Sequence, residues 1–148
     1  MSIPATSFDQ LLLLARSARE RAYAPYSRFA VGAALLTRDG RQFGGCNVEN
    51  AAYGLCHCAE RTALFSAVAA GCRPGDFAAL VVLADTPDPV SPCGACRQVL
   101  AELCDGTMPV LLGNLDGDSR QTTVAALLPG AFKLQSRLEG SASSNPYL

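Results

Sequence analysis

Two short cysteine-bearing segments, Cys58-Ala59-Glu60 and Pro92-Cys93-Gly94-Ala95-Cys96, constrain this chain more than anything else in it. Each stands at the head of a stretch that reads as a helix: Ala59 to Ala70, closed by Gly71, and Gly94 to Leu103. The first of these is small and apolar nearly all round, which predicts a buried helix, and the second reads as buried too. Between them runs Phe77 to Ala84, continuously apolar, the mark of a central strand covered on both faces. Cys93 and Cys96 put two sulfurs on one side of a tight turn entering a helix, which suits a tetrahedral ion. Cys58 opens the other helix, where the partial positive charge of the N-terminus favours a thiolate. Three thiolates around Zn²⁺ leave the fourth position open, the arrangement of a catalytic site. Glu60, two residues on, can aim a carboxylate at a zinc-bound water without ligating the metal. The excess negative charge of three thiolates calls for a nearby cation. Arg61 and Arg97 follow Glu60 and Cys96 directly; each either donates to a thiolate sulfur or forms a surface ion pair.

The rest of the chain supplies a frame. Phe8 to Ala22 reads as an amphipathic helix capped by Ser7 and ended by Pro25. Phe29 to Thr37 and Arg41 to Gly45 read as a hairpin around Arg38-Asp39-Gly40. A polar loop, Cys46 to Gly54, follows. The three prolines between Asp85 and Pro92 exclude regular structure there. Val110 to Leu112 and Arg120 to Val124 are short strands, and Leu127 to Phe132 is a compact apolar stop. Strands alternating with helices predict an α/β layered domain with a hairpin at one side of the sheet.

Formal net charge is −1, from 12 Lys+Arg against 13 Asp+Glu, so the basic stripe of a polynucleotide binder is absent and a small substrate is expected. Hydrophobic residues make up 49% of a 148-residue chain, which predicts apolar surface buried between subunits. Met1 to Asp9 does not read as a secretory signal, and no stretch approaches the ~20 apolar residues of a membrane span. A soluble, cytoplasmic protein is expected. With seven cysteines and no export signal, metal or catalytic thiolates are favoured over disulfides.

Several readings stay open on the residues alone. Cys93-x-x-Cys96 is also the spacing of a redox pair. Cys56, Cys58, Cys93 and Cys96 together would make a closed, structural Cys₄ zinc site. His57 is either a ligand or a bystander pointing elsewhere. Cys46, Cys72 and Cys104 are most simply small buried residues. Phe29 is either strand core or a face for a flat base. Asn47 and Glu49 either structure their loop or, projecting to one side of an extended segment, hold ribose hydroxyls.

A ligand, one residue, Glu, then Pro-Cys-x-x-Cys is the signature of zinc deaminases, in which the Glu is acid and base rather than ligand. Further stretches stand around it in order: Pro25-Tyr26-Ser27-Arg28-Phe29, Val31-Gly32-Ala33-Ala34, Gly45 to Ala51, Cys58-Ala59-Glu60-Arg61, Pro92 to Gln98, and Leu127 to Phe132. Over about Tyr23 to Phe132 the chain resembles the small homotetrameric zinc-dependent cytidine deaminases. The resemblance implies a three-layer α/β/α fold on a mixed five-stranded sheet, as a single domain over 1–138 with a disordered Ser-rich tail over 139–148. It implies hydrolysis of cytidine and deoxycytidine to uridine and deoxyuridine plus ammonia, in pyrimidine salvage, with zinc-bound hydroxide and a Glu proton shuttle. Carried over residue by residue, Cys58, Cys93 and Cys96 bind zinc and Glu60 moves the protons. Phe29 packs on the pyrimidine, Asn47 and Glu49 bind the ribose, and Ala59 offers backbone contacts to the base. Arg61 bonds the thiolates. Tyr53 and Phe132 approach a neighbouring subunit's site in a homotetramer. Blasticidin S deaminases share Cys-Ala-Glu and Pro-Cys-x-x-Cys and are the nearest rival. The tRNA-editing and deoxycytidylate relatives usually carry His in place of Cys58.

Overall fold

The apolar runs form the middle of a sheet. In the computed structural model, which describes residues 5–134, there are five strands: β1 (Val31–Thr37), β2 (Gln42–Cys46), β3 (Phe77–Ala84), β4 (Pro109–Asn114) and β5 (Ser119–Thr123). Their order is β2-β1-β3-β4-β5. Only β3 and β4 run parallel; every other neighbouring pair is antiparallel. β3 is central and buried at every position but Ala78.

Strand alternation sorts the side chains into two cores. Ala33, Leu35, Leu80, Val82, Val110 and Leu112 face one core. Ala34, Ala79, Val81, Leu83 and Leu111 face the other. Thr37 pairs with Phe77 while Leu36 pairs with Ala79, so Ala78 is an extra residue in β3. That bulge turns Phe77 onto the same face as Leu80. The first core is closed by α2 (Ala59–Ala69), α3 (Gly94–Leu103) and α4 (Val124–Leu127), the second by α1 (Ala5–Arg19). The result is the expected three-layer arrangement with a mixed five-stranded sheet. Each fully buried Leu contributes about 1.5–3 kcal/mol by leaving water.

Two glycines set how closely the layers approach. A Cβ on Gly32 would lie 1.9 Å from the Ala15 carbonyl oxygen of α1. One on Gly45 would lie 2.4 Å from the Ala59 carbonyl oxygen and 2.5 Å from the Ala63 nitrogen of α2. Both helices therefore rest directly on the hairpin backbone.

Some expectations shift. α1 starts and ends earlier than the expected Phe8–Ala22 span, and Ser7 lies within it rather than capping it. The chain leaves the helix to pair elsewhere: Tyr23 N–H donates to the Asn47 carbonyl at 3.0 Å, and Glu49 N–H to the Tyr23 carbonyl at 2.8 Å. Neither α2 nor α3 is buried all round. α2 buries Ala59, Glu60, Ala63, Leu64 and Ala67, while Phe65 and Ser66 face outward. α3 buries Cys96 and Leu100. Each helix has one face against the sheet, and within the single chain no layer covers the other. The tail over 139–148, and the domain end at 138, lie outside the described residues.

Candidate active site

The two cysteine segments meet because each cysteine is the N-cap of its helix. Cys58 caps α2 and Cys93 caps α3, both with extended backbone. Their sulfurs stand 3.6 Å apart, and the sulfurs of Cys58, Cys93 and Cys96 all lie within 4.8 Å of one another. Cys93 Sγ also accepts the Cys96 N–H at 3.5 Å, which folds the C-x-x-C turn tightly. Around a tetrahedral zinc at ~2.3 Å the sulfurs would be spaced by roughly 3.8 Å, so this donor set fits such an ion and leaves one position open.

The electrostatics favour a thiolate at Cys58. The Cys58 thiol falls from an ordinary 9.0 to about 5, because Cys96, Arg61 and Cys93 hydrogen-bond its sulfur more strongly than burial opposes the charge. Cys96 moves the opposite way, held up by its donation to Cys58 and by burial. Arg61 Nη2 donates to Cys58 Sγ at 3.4 Å. Its Nε is buried with no hydrogen-bond partner among the described residues. A guanidinium is thus held against the sulfur cluster with donor capacity to spare, which suits a site crowded with negative charge.

Glu60, in the first turn of α2, is only 4% exposed. Burial pushes its carboxyl up, and the charge on Cys58 adds to this. It lines a pocket of about 240 Å³ together with Cys58, Cys93 and Ala59. Phe29, Asn47 and Glu49 line the same pocket. Asn47 and Glu49 arrive there through a small backbone ladder, in which Val48 bridges Tyr23 on one side and His57 on the other. With Val48 paired, Asn47 and Glu49 share a side.

Asn47 is heavily engaged with backbone. Its Oδ1 accepts the Val31 N–H at 2.8 Å and its Nδ2 donates to the Phe29 carbonyl at 2.7 Å. One amide hydrogen remains free of these bonds. Glu49 Oε1 accepts the N–H groups of Tyr26 (2.9 Å) and Ser27 (3.1 Å). Hydrogen bonds from Ser27 and Tyr26 hold this carboxyl below its usual range, and its second oxygen takes part in neither backbone bond. Arg28 sits in the left-handed region at φ 57°, just before Phe29. A non-glycine residue there is strained, and the turn leaves Phe29 on the pocket wall rather than in the core.

Other candidates stand outside the pocket or, like Cys56 and His57 on its wall, are engaged with other groups. Tyr53 is exposed and makes an edge-on contact with Tyr26, 6.0 Å between ring centroids. Phe132 is exposed, its carbonyl accepting from Gln98 Nε2 at 3.0 Å. Neither lines this chain's own pocket. His57 borders the pocket, but its ring packs on Phe65, 5.1 Å between centroids. The Cys56 thiol accepts the Asn50 N–H at 3.3 Å and faces the Asn50 carbonyl at 3.5 Å. It therefore belongs to its loop, and the closed Cys₄ reading lacks its fourth sulfur: among the described residues the metal-capable group is Cys58, Cys93 and Cys96. Arg97 donates to oxygens rather than to sulfur.

Val31, Val90 and Ser91 also line the pocket and were not singled out from sequence. Ser91 stands two residues before Cys93, which is the signal that could have found it. A larger hollow, about 630 Å³, lies between the Thr37–Gln42 turn and the Asp105–Pro109 segment. Its charged lining residues, Arg38 and Asp105, are paired with each other.

The comparisons agree with this site. Residues 6–112 match the family model described as the cytidine and deoxycytidylate deaminase zinc-binding region. The cytidine deaminase of Sporosarcina psychrophila is 61% identical over 124 residues, spanning 84% of this chain and 90% of that protein. The cytidine deaminase of Halalkalibacterium halodurans is also 61% identical, spanning 84% and 92%. The crystal structure of cytidine deaminase from Burkholderia pseudomallei superposes with a TM-score of 0.83 at 59% identity, over 88% of this chain and all of that one (100%). A family match over this span, relatives of this identity and three sulfurs gathered at two helix starts together mean that the chain belongs to the zinc-binding cytidine and deoxycytidylate deaminase family.

Proposed function

We propose that this protein is a zinc-dependent cytidine deaminase, hydrolysing the C4 amino group of cytidine and deoxycytidine to give uridine or deoxyuridine and ammonia. The observation that carries the proposal is a buried carboxyl of raised pKa, Glu60, in one pocket with a three-sulfur cluster that has a coordination position to spare. Cys58, Cys93 and Cys96 hold the zinc. When bound, the metal supplies a water of lowered pKa at the open position. Glu60 would take a proton from the attacking water and pass it to N3 as the water oxygen bonds to C4; it would then take the proton of the new C4 hydroxyl and pass it to the amino nitrogen, which leaves as ammonia as the C4–N bond breaks. A carboxyl raised above its ordinary range suits a group that both takes and returns protons.

The pocket walls divide the remaining tasks. Phe29 stacks on the pyrimidine and the backbone at Ala59 meets the base edge. Glu49, with its second oxygen available, and Asn47, with its remaining amide hydrogen, bind the ribose hydroxyls. Arg61 offsets the thiolate charge. Tyr53 and Phe132, exposed on the single chain, reach the pocket of a neighbouring subunit in a homotetramer. Leu55 and Phe65, also exposed, support burial between subunits. The near-zero net charge supports a nucleoside rather than a polynucleotide as substrate. No helix among the described residues is long and apolar enough to cross a membrane, and the proposed place of work is the cytoplasm.

The test is loss of absorbance near the cytidine band when zinc-loaded protein meets cytidine, with deoxycytidine and blasticidin S in parallel. Rapid conversion of the two nucleosides is expected. Turnover of blasticidin S alone would transfer the chain to that activity. Silence on all three, with zinc bound, would leave a structural metal site.

A further inference from the structure

The segment that delivers Cys93 to the cluster has little regular structure to hold it. Between β3 and α3 the chain runs through Pro87, Pro89 and Pro92, none of which has an N–H to donate. Two of its carbonyls are taken by side chains from neighbouring elements. Asn114, buried at the end of β4, donates Nδ2 to the Pro87 carbonyl at 3.0 Å. Arg97, one turn along α3 from Cys93, takes the other end. Its Nε donates to the carbonyl of buried Pro92 at 2.8 Å, and its Nη2 to Ser91 Oγ at 2.7 Å. Its Nη1 donates to the Leu127 carbonyl at the end of α4, also at 2.7 Å. Gln98, the next residue, holds the Phe132 carbonyl at 3.0 Å.

One guanidinium thus ties the two residues before a sulfur ligand to the segment that leads to Phe132. The geometry needs a fork: three acceptors in three directions exceed what a single ammonium on a flexible stem can hold together. Arg97 itself touches neither a sulfur nor the pocket.

We infer that Arg97 is a positioning residue, which fixes Ser91 and Cys93 relative to Cys58 and Glu60 through the Pro92 carbonyl and the Ser91 hydroxyl. The inference rests on the deaminase reading given above. A pinned ligand loses metal slowly, and a pinned pocket wall holds the reacting atoms in register. Shifts of about an ångström in such a frame cost roughly 10²-fold in turnover, and supporting residues behind ligands are worth about 10–100-fold in metal affinity or activity.

The experiment compares zinc-loaded wild type with Arg97→Ala and Arg97→Lys. It reads kcat and KM on cytidine, the rate of zinc transfer to a chromophoric chelator, and the thermal unfolding midpoint. Wild-type turnover settles the deaminase reading by itself, before any variant is considered. For Arg97→Ala a fall in kcat of about 10–100-fold is expected, with KM changed less than about threefold and zinc transfer faster by about 10-fold or more. Millimolar methylguanidinium, far below denaturing levels, should restore part of kcat and slow the transfer. Arg97→Lys should behave like Arg97→Ala. Should Arg97→Ala fail to fold, Arg97→Lys decides alone by the same readouts. Wild-type kcat and zinc transfer in the folded variants, or a rise in KM with kcat intact, would overturn the inference. So would a loss that follows the unfolding midpoint and ignores methylguanidinium.

Discussion

The helices α2 and α3 bring their N-termini to one point, yet they are held there by different physics. α2 is pressed into place. It buries five residues, Ala59, Glu60, Ala63, Leu64 and Ala67, and lies on β2 where Gly45 has no side chain to hold it off. α3 buries only Cys96 and Leu100. Its N-terminal end is held by polar pins: a thiol N-cap, and the contacts of Arg97 with Ser91, Pro92 and Leu127. The buried helix carries the carboxyl proposed to move protons, Glu60, and the pinned helix begins at two of the three clustered sulfurs. Close packing leaves Glu60 little water, which is what raises its pKa. A polar frame gives the sulfurs fixed donors: Arg61 reaches Cys58, and the Cys96 N–H reaches Cys93.

The largest expected effect falls on α2. Glu60→Gln should lower kcat by about 10²–10⁴-fold while metal analysis still finds zinc on the protein. Near-normal turnover would remove Glu60 from the proton path. Next come the sulfurs. Cys58→Ala and Cys93→Ala should each abolish stable zinc binding, one from either helix, whereas Cys56→Ala should keep it because its thiol is committed to Asn50. Zinc loss from Cys56→Ala would revive a four-sulfur site.

The contrast in packing can be put to a paired test. Gly45→Ala places a Cβ against the α2 backbone, which cannot swing aside, and should cost about 1–3 kcal/mol in denaturant unfolding. Gly94→Ala, at the first position of α3, meets nothing within 4 Å and should be neutral or stabilising by up to about 1 kcal/mol. Equal losses would mean that α3 is packed as tightly as α2. The smallest effect lies at the far end of α3. Burial pushes the Cys104 thiol up from 9.0 to about 12. The unfolded thiol, near ~8.5, gives up its proton first. Its contribution is therefore complete below about pH 8.5 and is lost as pH rises toward 12. Thermal melts across the alkaline range should fall less steeply for Cys104→Ala than for wild type.

Much of this was legible in the residues. Phe77–Ala84 and Gly94–Leu103 have the bounds their patterns predict, because a strand buried on both faces and a helix entered from Pro-Cys-Gly carry strong local signals. The start of α1 was less legible: Ser7 looks like a cap, but the helix runs through it. The two readings of Asn47 could not be separated by spacing. Its partners, the backbone of Phe29 and Val31, are far away in the chain and come near only when β1 has formed. Arg97 likewise resembles a thiolate donor in sequence, one residue from Cys96, while its helical direction carries it to Pro92 and Leu127 instead.

The residues alone marked the layers and the candidates for the chemistry: the cysteines able to gather and the carboxyl beside them. These follow from spacing and apolar pattern, which act over a few residues. The tertiary structure decided what each polar side chain is committed to. Cys56 went to its loop, Arg61 to a sulfur and Arg97 to the carbonyls behind one. Hydrogen bonds are short and directional, so a polar group's partner is settled only when distant segments are brought within about 3 Å.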